Sequence, residues 1–221
     1  MRFTCKRARL AEIAGLVSQA VATKTTKRIF ECLRLSTTGG VLELAGTDLE
    51  VGIRYRLEEV EIGAGGEAVV PAALFSGVMR EISDESVSVS VERQKLALRT
   101  DGGSFEIQCE DPAQFPEIPA FPAEPAGTLE ASDLRSLVRK TAFAAGKEAA
   151  RFALNGVRIV ATAGSVRFVA TDGRRLATLV RPLAGGNVDR GERAAIVGVR
   201  ALQHAERIAA EASAPVELAV E

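Results

Sequence analysis

Tryptophan is absent from the 221 residues, and tyrosine and histidine occur once each. So few aromatics exclude a protein that stacks single-stranded bases on its surface. The lone histidine, His204, has no second His or Cys placed to share a metal with it. The three cysteines (Cys5, Cys32, Cys109) are far apart and form no C-x-x-C. Neither a zinc site nor a disulfide framework is indicated, and buried reduced thiols are expected. No apolar run approaches the length of a membrane span, and no charged-then-apolar signal opens the chain, so a cytoplasmic protein without membrane contact is expected. No G-x-S-x-G occurs. AAGK (144–147) fails as a phosphate loop, because Thr141 replaces the first glycine and Glu148 the magnesium-holding hydroxyl. GAGG (63–66) lacks the spacing of a dinucleotide site. The expectation is a protein with no cofactor and no catalytic residues, not an enzyme.

Charge of either sign is nearly balanced, at a net −1, yet unevenly spread. Residues 6–28 carry Lys6, Arg7, Arg9, Lys24, Lys27 and Arg28 against Glu12 alone, whereas 104–124 carry five acids and no base. Such asymmetry marks either one positive surface on a neutral molecule or simply solvated faces. With 47% hydrophobic residues the chain can bury a substantial core.

The chain repeats itself. A shift of 124 lays Thr4 on Thr128, Leu10 on Leu134, Ile13 on Leu137, Gly40 on Gly164, Leu42 on Val166, Leu44 on Phe168, Thr47 on Thr171 and Asp48 on Asp172. Three extra loop residues then bring EAVVPAAL (67–74) over AAIVGVRA (194–201). Periodicity agrees. A helix over 7–22 buries Leu10, Ile13, Val17 and Val21. Strands near 29–36, 40–45 and 50–58 follow, with Gly39-Gly40 as a hairpin turn. After a GAGG loop come a strand, a helix from Pro71 burying Leu74, Val78 and Ile82, and strands near 86–92, 95–100 and 103–108. Residues 1–110 thus read as β-α-β-β-β twice.

Residues 110–127, with five prolines, read as an extended linker. The pattern restarts with a strand at 128–131, a helix over 132–146 with Ser132 as N-cap, strands near 154–161, 165–170, 175–182 and 193–197, a helix over 199–211 and a strand at 216–220. The first copy has two strands after this point and the second none. A longer design, or strands from a partner, is the expectation, because an open sheet edge is normally avoided.

Basic residues cluster on the predicted helices. Arg135 and Arg139 share a face, and so do Arg200 and Arg207 with His204 between them. Lys140, Lys147 and Arg151 lie nearby in sequence, and Arg80 lies on the second helix. Cations on helix faces without aromatics suit phosphate contact without base reading. Asp48 and Asp172 each sit in the same turn of their own repeat, where an Asp bonds neighbouring backbone.

MRFTCKRARL, LELAGTDLEVGI, VVPAALF, SFEIQCEDPAQFPEIP, RFALNGV and RFVATDGRRLA, in this order and spacing, resemble the bacterial β-type sliding clamps, the processivity subunit of DNA polymerase III. The resemblance spans essentially the whole chain. It implies an α+β fold, the DNA clamp, built from repeated β-α-β-β-β units with two helices packed on sheets per domain. Domain one would be 1–122 and domain two 123–221, the latter lacking its last two strands. It implies a homo-oligomeric ring when full length, threaded by double-stranded DNA without sequence preference, and a cleft that captures peptides of the replicative polymerase and clamp loader. Carried over by position, Leu154, Thr171, Gly173, Arg174, Arg175 and Leu176 would form the cleft wall. Lys24, with Arg80, Arg139, Lys140, Lys147 and Arg200, would face DNA. Family members are longer by a whole domain plus two strands. At 221 residues the usual ring could not close and peptide affinity would be poor. Arg28 stands where the family usually has proline. The competing reading is a clamp-derived peptide-binding scaffold that does not encircle DNA.

Overall fold

The structure, a computed structural model, describes residues 1–146, 154–186, 191–212 and 214–220. The chain divides into two compact units, Met1–Ile118 and Pro119–Glu221.

The first unit runs β1 (Arg2–Lys6), α1 (Arg7–Val17), β2 (Cys32–Thr38), β3 (Val41–Thr47), β4 (Gly52–Leu57), β5 (Val60–Ala64), β6 (Gly66–Pro71), α2 (Ala72–Glu81), β7 (Ser86–Glu92), β8 (Lys95–Thr100) and β9 (Gly103–Gln108). Short 3-10 turns occupy Ser18–Ala20, Arg28–Glu31 and Pro112–Gln114. Helix α1 follows β1 directly and buries Leu10, Ile13, Ala14 and Val17. No side chain caps its start, and the backbone N–H of Arg7 donates instead to the Glu85 carbonyl at 2.9 Å. At its end the Ser18 hydroxyl donates to the Ala14 carbonyl at 2.6 Å, and the chain tightens into a 3-10 turn. The predicted helix over 7–22 is therefore shorter, although Val21 is buried as expected.

Two sheets form, ordered β4-β3-β2-β6 and β5-β1-β7-β8-β9. Each half of the unit lends its first strand to the other half's sheet: β1 pairs with β7, and β6 with β2. The β2–β3 hairpin closes through Gly39 and Gly40, both left-handed at φ +61° and +83°, as its two-residue turn demands. Both helices and the inner faces of both sheets share one core, with Phe3, Leu33, Leu35, Leu44, Phe75, Met79 and Leu98 fully buried. Each such side chain contributes roughly 1.5–3 kcal/mol by leaving water.

Three expectations for this unit need correction. The GAGG loop is not a loop, because β5 and β6 run through it with Gly65 between them. On α2 the buried positions are Ala72, Phe75 and Met79, whereas Leu74 is exposed. The bulkier Phe75 takes the place expected of Leu74, while Val78 packs partly against the core and Ile82, just past the helix, is buried as expected. The start of the proline-rich segment is folded onto the outer face of the four-stranded sheet. Glu110 N–H donates to the Val69 carbonyl (2.8 Å), Asp111 accepts from Ala113 N–H (3.0 Å), and Phe115 joins Cys32, Ala45 and Val69 in a small second core.

The second unit runs β10 (Gly127–Leu129), α3 (Ala131–Thr141), β11 (Gly156–Thr162), β12 (Ser165–Thr171), β13 (Leu176–Pro182), β14 (Arg193–Gly198), α4 (Val199–Glu211) and β15 (Val216–Leu218). A 3-10 turn covers Ala142–Ala144. Its four-stranded sheet, β13-β12-β11-β14, has the strand order of the first unit's β4-β3-β2-β6. Strand β10 pairs with β15, and Thr128 also bridges to Ala184. The repeat seen in sequence is a repeat in space: Leu134, Leu137, Val166 and Phe168 are buried like Leu10, Ile13, Leu42 and Leu44. Ser132 is not the cap of α3. The strand passes straight into the helix as β1 does into α1, so Glu130 holds the cap position, and its carbonyl accepts from Asp133 and Leu134. Among the described residues no helix is long and apolar enough to cross a membrane.

Candidate functional site

The stretch TDGRRL closes the β12–β13 hairpin. Thr171 Oγ1 accepts from Gly173 N–H (3.1 Å) and donates to the Arg175 carbonyl (2.7 Å). Asp172 Oδ1 accepts from the N–H groups of Arg174 (2.9 Å) and Arg175 (3.0 Å), and its Oδ2 meets Arg175 Nε at 3.0 Å. Those two backbone donors, more than the Arg175 charge, hold the Asp172 carboxyl below its usual range. Asp172 is therefore a structural acid, fully committed to its own turn.

The GTDLE turn repeats this chemistry. Thr47 Oγ1 accepts from Leu49 N–H (3.0 Å), and Asp48 Oδ1 from Glu50 (3.1 Å) and Val51 (2.9 Å). The twin aspartates are twin turns and not a paired acid site.

Thr171, Gly173, Arg174, Arg175 and Leu176 thus come together at one end of one hairpin. Gly173, Arg174 and Leu176 are exposed, Leu176 by 66%. Nothing lies within 4 Å of where a Gly173 side chain would begin, so the turn leaves room beside its backbone. Leu154, half-buried, is fixed at the entry to β11, next to β12, where its carbonyl accepts from Gly146 N–H at 2.6 Å. Arg175, while paired to Asp172 within the turn, also reaches across: its guanidinium lies 5.6 Å from the centre of the Phe143 ring. There it lines a groove of about 480 Å³ floored by Val138, Ala142 and Phe143 and rimmed by Arg139 and Glu206. This groove was not foreseen from sequence. Phe143, 59% exposed in a 3-10 turn just after α3, was its one legible signal.

The helix cations are placed as follows. Lys24 is exposed in the loop after α1. Arg80 is exposed in the last turn of α2, with Nε donating to the Ser76 carbonyl at 3.1 Å. Arg139 and Lys140 are exposed in the last turn of α3, where cations offset the helix dipole. Arg139 is ion-paired to Glu206 of α4, so its charge is largely neutralised. Arg200 and Arg207 are exposed on α4, and His204 between them is half-buried. Lys147 and Arg151 lie outside the described residues.

All three thiols are buried and free. Burial pushes Cys5 and Cys32 up to about 11 and raises Cys109 as well.

Family models for the DNA polymerase III beta subunit match the chain twice, its N-terminal domain over residues 1–119 and its central domain over 128–221. The beta sliding clamp of Pseudomonas putida is 32% identical over 178 residues, 80% of this chain and 48% of that protein. That of Escherichia coli K12 is 29% identical over 184 residues, covering 83% and 50%. The chain spans about half the length of the curated relatives it matches. Among solved structures, the DNA polymerase III subunit beta from Pseudomonas aeruginosa superposes with a TM-score of 0.88 at 28% identity, over all of this chain and 60% of that one. The sliding clamp from Bacillus subtilis reaches 0.92 at 23% identity, over 100% and 60%, a likeness of fold. The chain belongs to the DNA polymerase III beta subunit family, in its N-terminal and central domains.

Proposed function

We propose that the chain works as part of a sliding clamp, a homo-oligomeric ring that encircles duplex DNA and tethers the replicative polymerase and clamp loader. The role is mechanical and not catalytic. One observation carries the reading: two copies of one helix-over-sheet unit, matched by the N-terminal and central domains of the DNA polymerase III beta subunit, with a beta sliding clamp similar over 80% of the chain. Lys24, Arg80, Arg139, Lys140, Lys147 and Arg200 are the proposed DNA-facing cations. A ring needs few of them, because topology sets the residence time and each phosphate contact only has to be weak and sequence-blind. A net charge of −1 suits such a partner of DNA. Thr171, Gly173, Arg174, Arg175 and Leu176, with Leu154, are the proposed peptide cleft, with apolar Leu154 and Leu176 as anchors and arginine as the orienting rim.

The test, made on the protein at its full ring-forming length, compares retention on closed circular duplex with retention on the same duplex linearised, with a labelled clamp-binding peptide in parallel. Retention on the circle alone is the expected result. Peptide capture with no retention on either DNA would favour a peptide-binding scaffold that does not encircle DNA. Failure of both would overturn both readings.

A further inference from the structure

The backbone that carries Phe143 is firmly held. Thr141 before it and Ala144 after it are 0% exposed, Thr141 Oγ1 donates to the Leu137 carbonyl at 2.6 Å, and Ala145 N–H donates to the Ala142 carbonyl at 3.2 Å. The ring itself stays out of the core, with the Arg175 guanidinium over its face. Asp172 Oδ2 holds the same guanidinium from a second side, at Nε. An arginine has five N–H donors. Nε gives one to Asp172, and the four on the two Nη atoms meet no acceptor among the described residues.

The first copy lacks both partners. At the shift of 124, Gln19 stands for Phe143 in the matching 3-10 turn, and Val51 stands for Arg175 after the matching aspartate turn. Yet that turn closes with the same Thr and Asp hydrogen bonds. Folding of the turn therefore does not require the pair. Ring and guanidinium occur together in the copy that carries the proposed cleft, and both are missing from the other.

We infer that Phe143 is a positioning residue for peptide capture: its ring, together with Asp172, holds the Arg175 guanidinium in one orientation, with the Nη donors already set to meet acceptor oxygens of the bound peptide. The inference rests on the cleft reading above and adds to it a residue that acts through Arg175. A long arginine side chain that is free in solution loses its rotamer freedom on binding, which lowers affinity. Here a carboxylate at Nε and a ring under the charge restrain the side chain at two points beforehand. An aliphatic residue at 143 would supply bulk without the attraction of the ring face for the cation.

The test uses the protein at its full ring-forming length and the labelled clamp-binding peptide, read by anisotropy. Arg175→Ala should weaken binding about tenfold, as loss of an anchor does. Phe143→Ala should weaken it about fivefold, the effect of immobilising one long side chain at the moment of binding. Phe143→Leu should bind as poorly as Phe143→Ala, and Phe143→Tyr as well as the natural protein. With Phe143→Ala and Arg175→Ala combined, the losses should not add, because the ring acts only through the guanidinium. Natural affinity in Phe143→Ala or Phe143→Leu, a Phe143→Tyr protein as weak as Phe143→Ala, or additive losses in the combined variant would overturn the inference. Leu176→Asp separates the two levels. If it weakens binding while Arg175→Ala and Phe143→Ala do not, the cleft stands and the positioning role falls. If Leu176→Asp has no effect either, the cleft reading falls and takes this inference with it.

Discussion

Leu49 and Gly173 occupy the same position of a duplicated turn, both with left-handed backbone, at φ +77° and +88°. A leucine there carries strain that a glycine does not, and Leu49 recovers little by packing, being 66% exposed. Leu49→Gly is expected to stabilise the first unit by up to about 1 kcal/mol, the released strain outweighing the added freedom of the unfolded chain. Gly173→Ala should cost the second unit about 1 kcal/mol. Urea midpoints of the two variants check both signs.

The Asp172 carboxyl titrates below its ordinary value of 3.8 because folded backbone donors favour its charged form. A depressed folded value means that its contribution is fully present above the unfolded value and disappears as pH falls through the folded one. The stability gap between the natural chain and Asp172→Ala should therefore be constant from neutral pH down to about 5 and shrink below about 4. A gap that stayed level into strong acid would assign the effect to side-chain size instead of charge.

Phe115 shields Cys32, which is 1% exposed. Phe115→Ala should cost about 3 kcal/mol and leave the outer face open. In the natural chain, Cys5 and Cys32, pushed up to about 11, present roughly one thiolate in a thousand at pH 8, so both should resist alkylation until the chain unfolds. In Phe115→Ala, Cys32 should react first, well before Cys5, as mass-mapped alkylation would show. The same raised values mean that stability declines as pH rises from about 9 towards 11, because only the unfolded thiols ionise readily there.

Lys24 and Lys140 are exposed and have no carboxylate within 4 Å among the described residues. Replacing either by Gln should weaken duplex binding and lower the salt slope by roughly one for each phosphate that the side chain no longer neutralises. Arg139→Gln should do less, since Glu206 already holds that charge. Equal effects of all three on anisotropy-measured salt titrations would count against this ranking.

Much of the fold was legible because the burial period matches the element period. Leu10, Ile13 and Val17 mark one side of α1, and α4 spans the residues expected of it, Val199–Glu211. What failed did so for local reasons. Strand β5 was hidden because Gly63 opens the GAGG run and breaks the side-chain pattern, although Val60, Glu61, Ile62 and Ala64 pair with β1. Leu74 and Phe75 are adjacent and both apolar, so only packing could choose between them. The proline-rich segment read as an extended linker, yet Pro112–Gln114 forms a 3-10 turn and the start of the segment folds onto the sheet. Nothing in its composition told that Phe115 and Ile118 would find Cys32, Ala45 and Val69. At the candidate site the turn was readable because Thr and Asp bond their own backbone. The direction of Arg175 was not, because it depends on Phe143, more than thirty positions away in sequence.

Because β1 is laid into the sheet of β7–β9 and β6 into that of β2–β4, neither half of the first unit can leave without tearing a strand from the other. A single protease cut at Gly65 would sever the chain but not the particle. The two fragments should co-elute, resist separation short of denaturant, and reassemble when mixed.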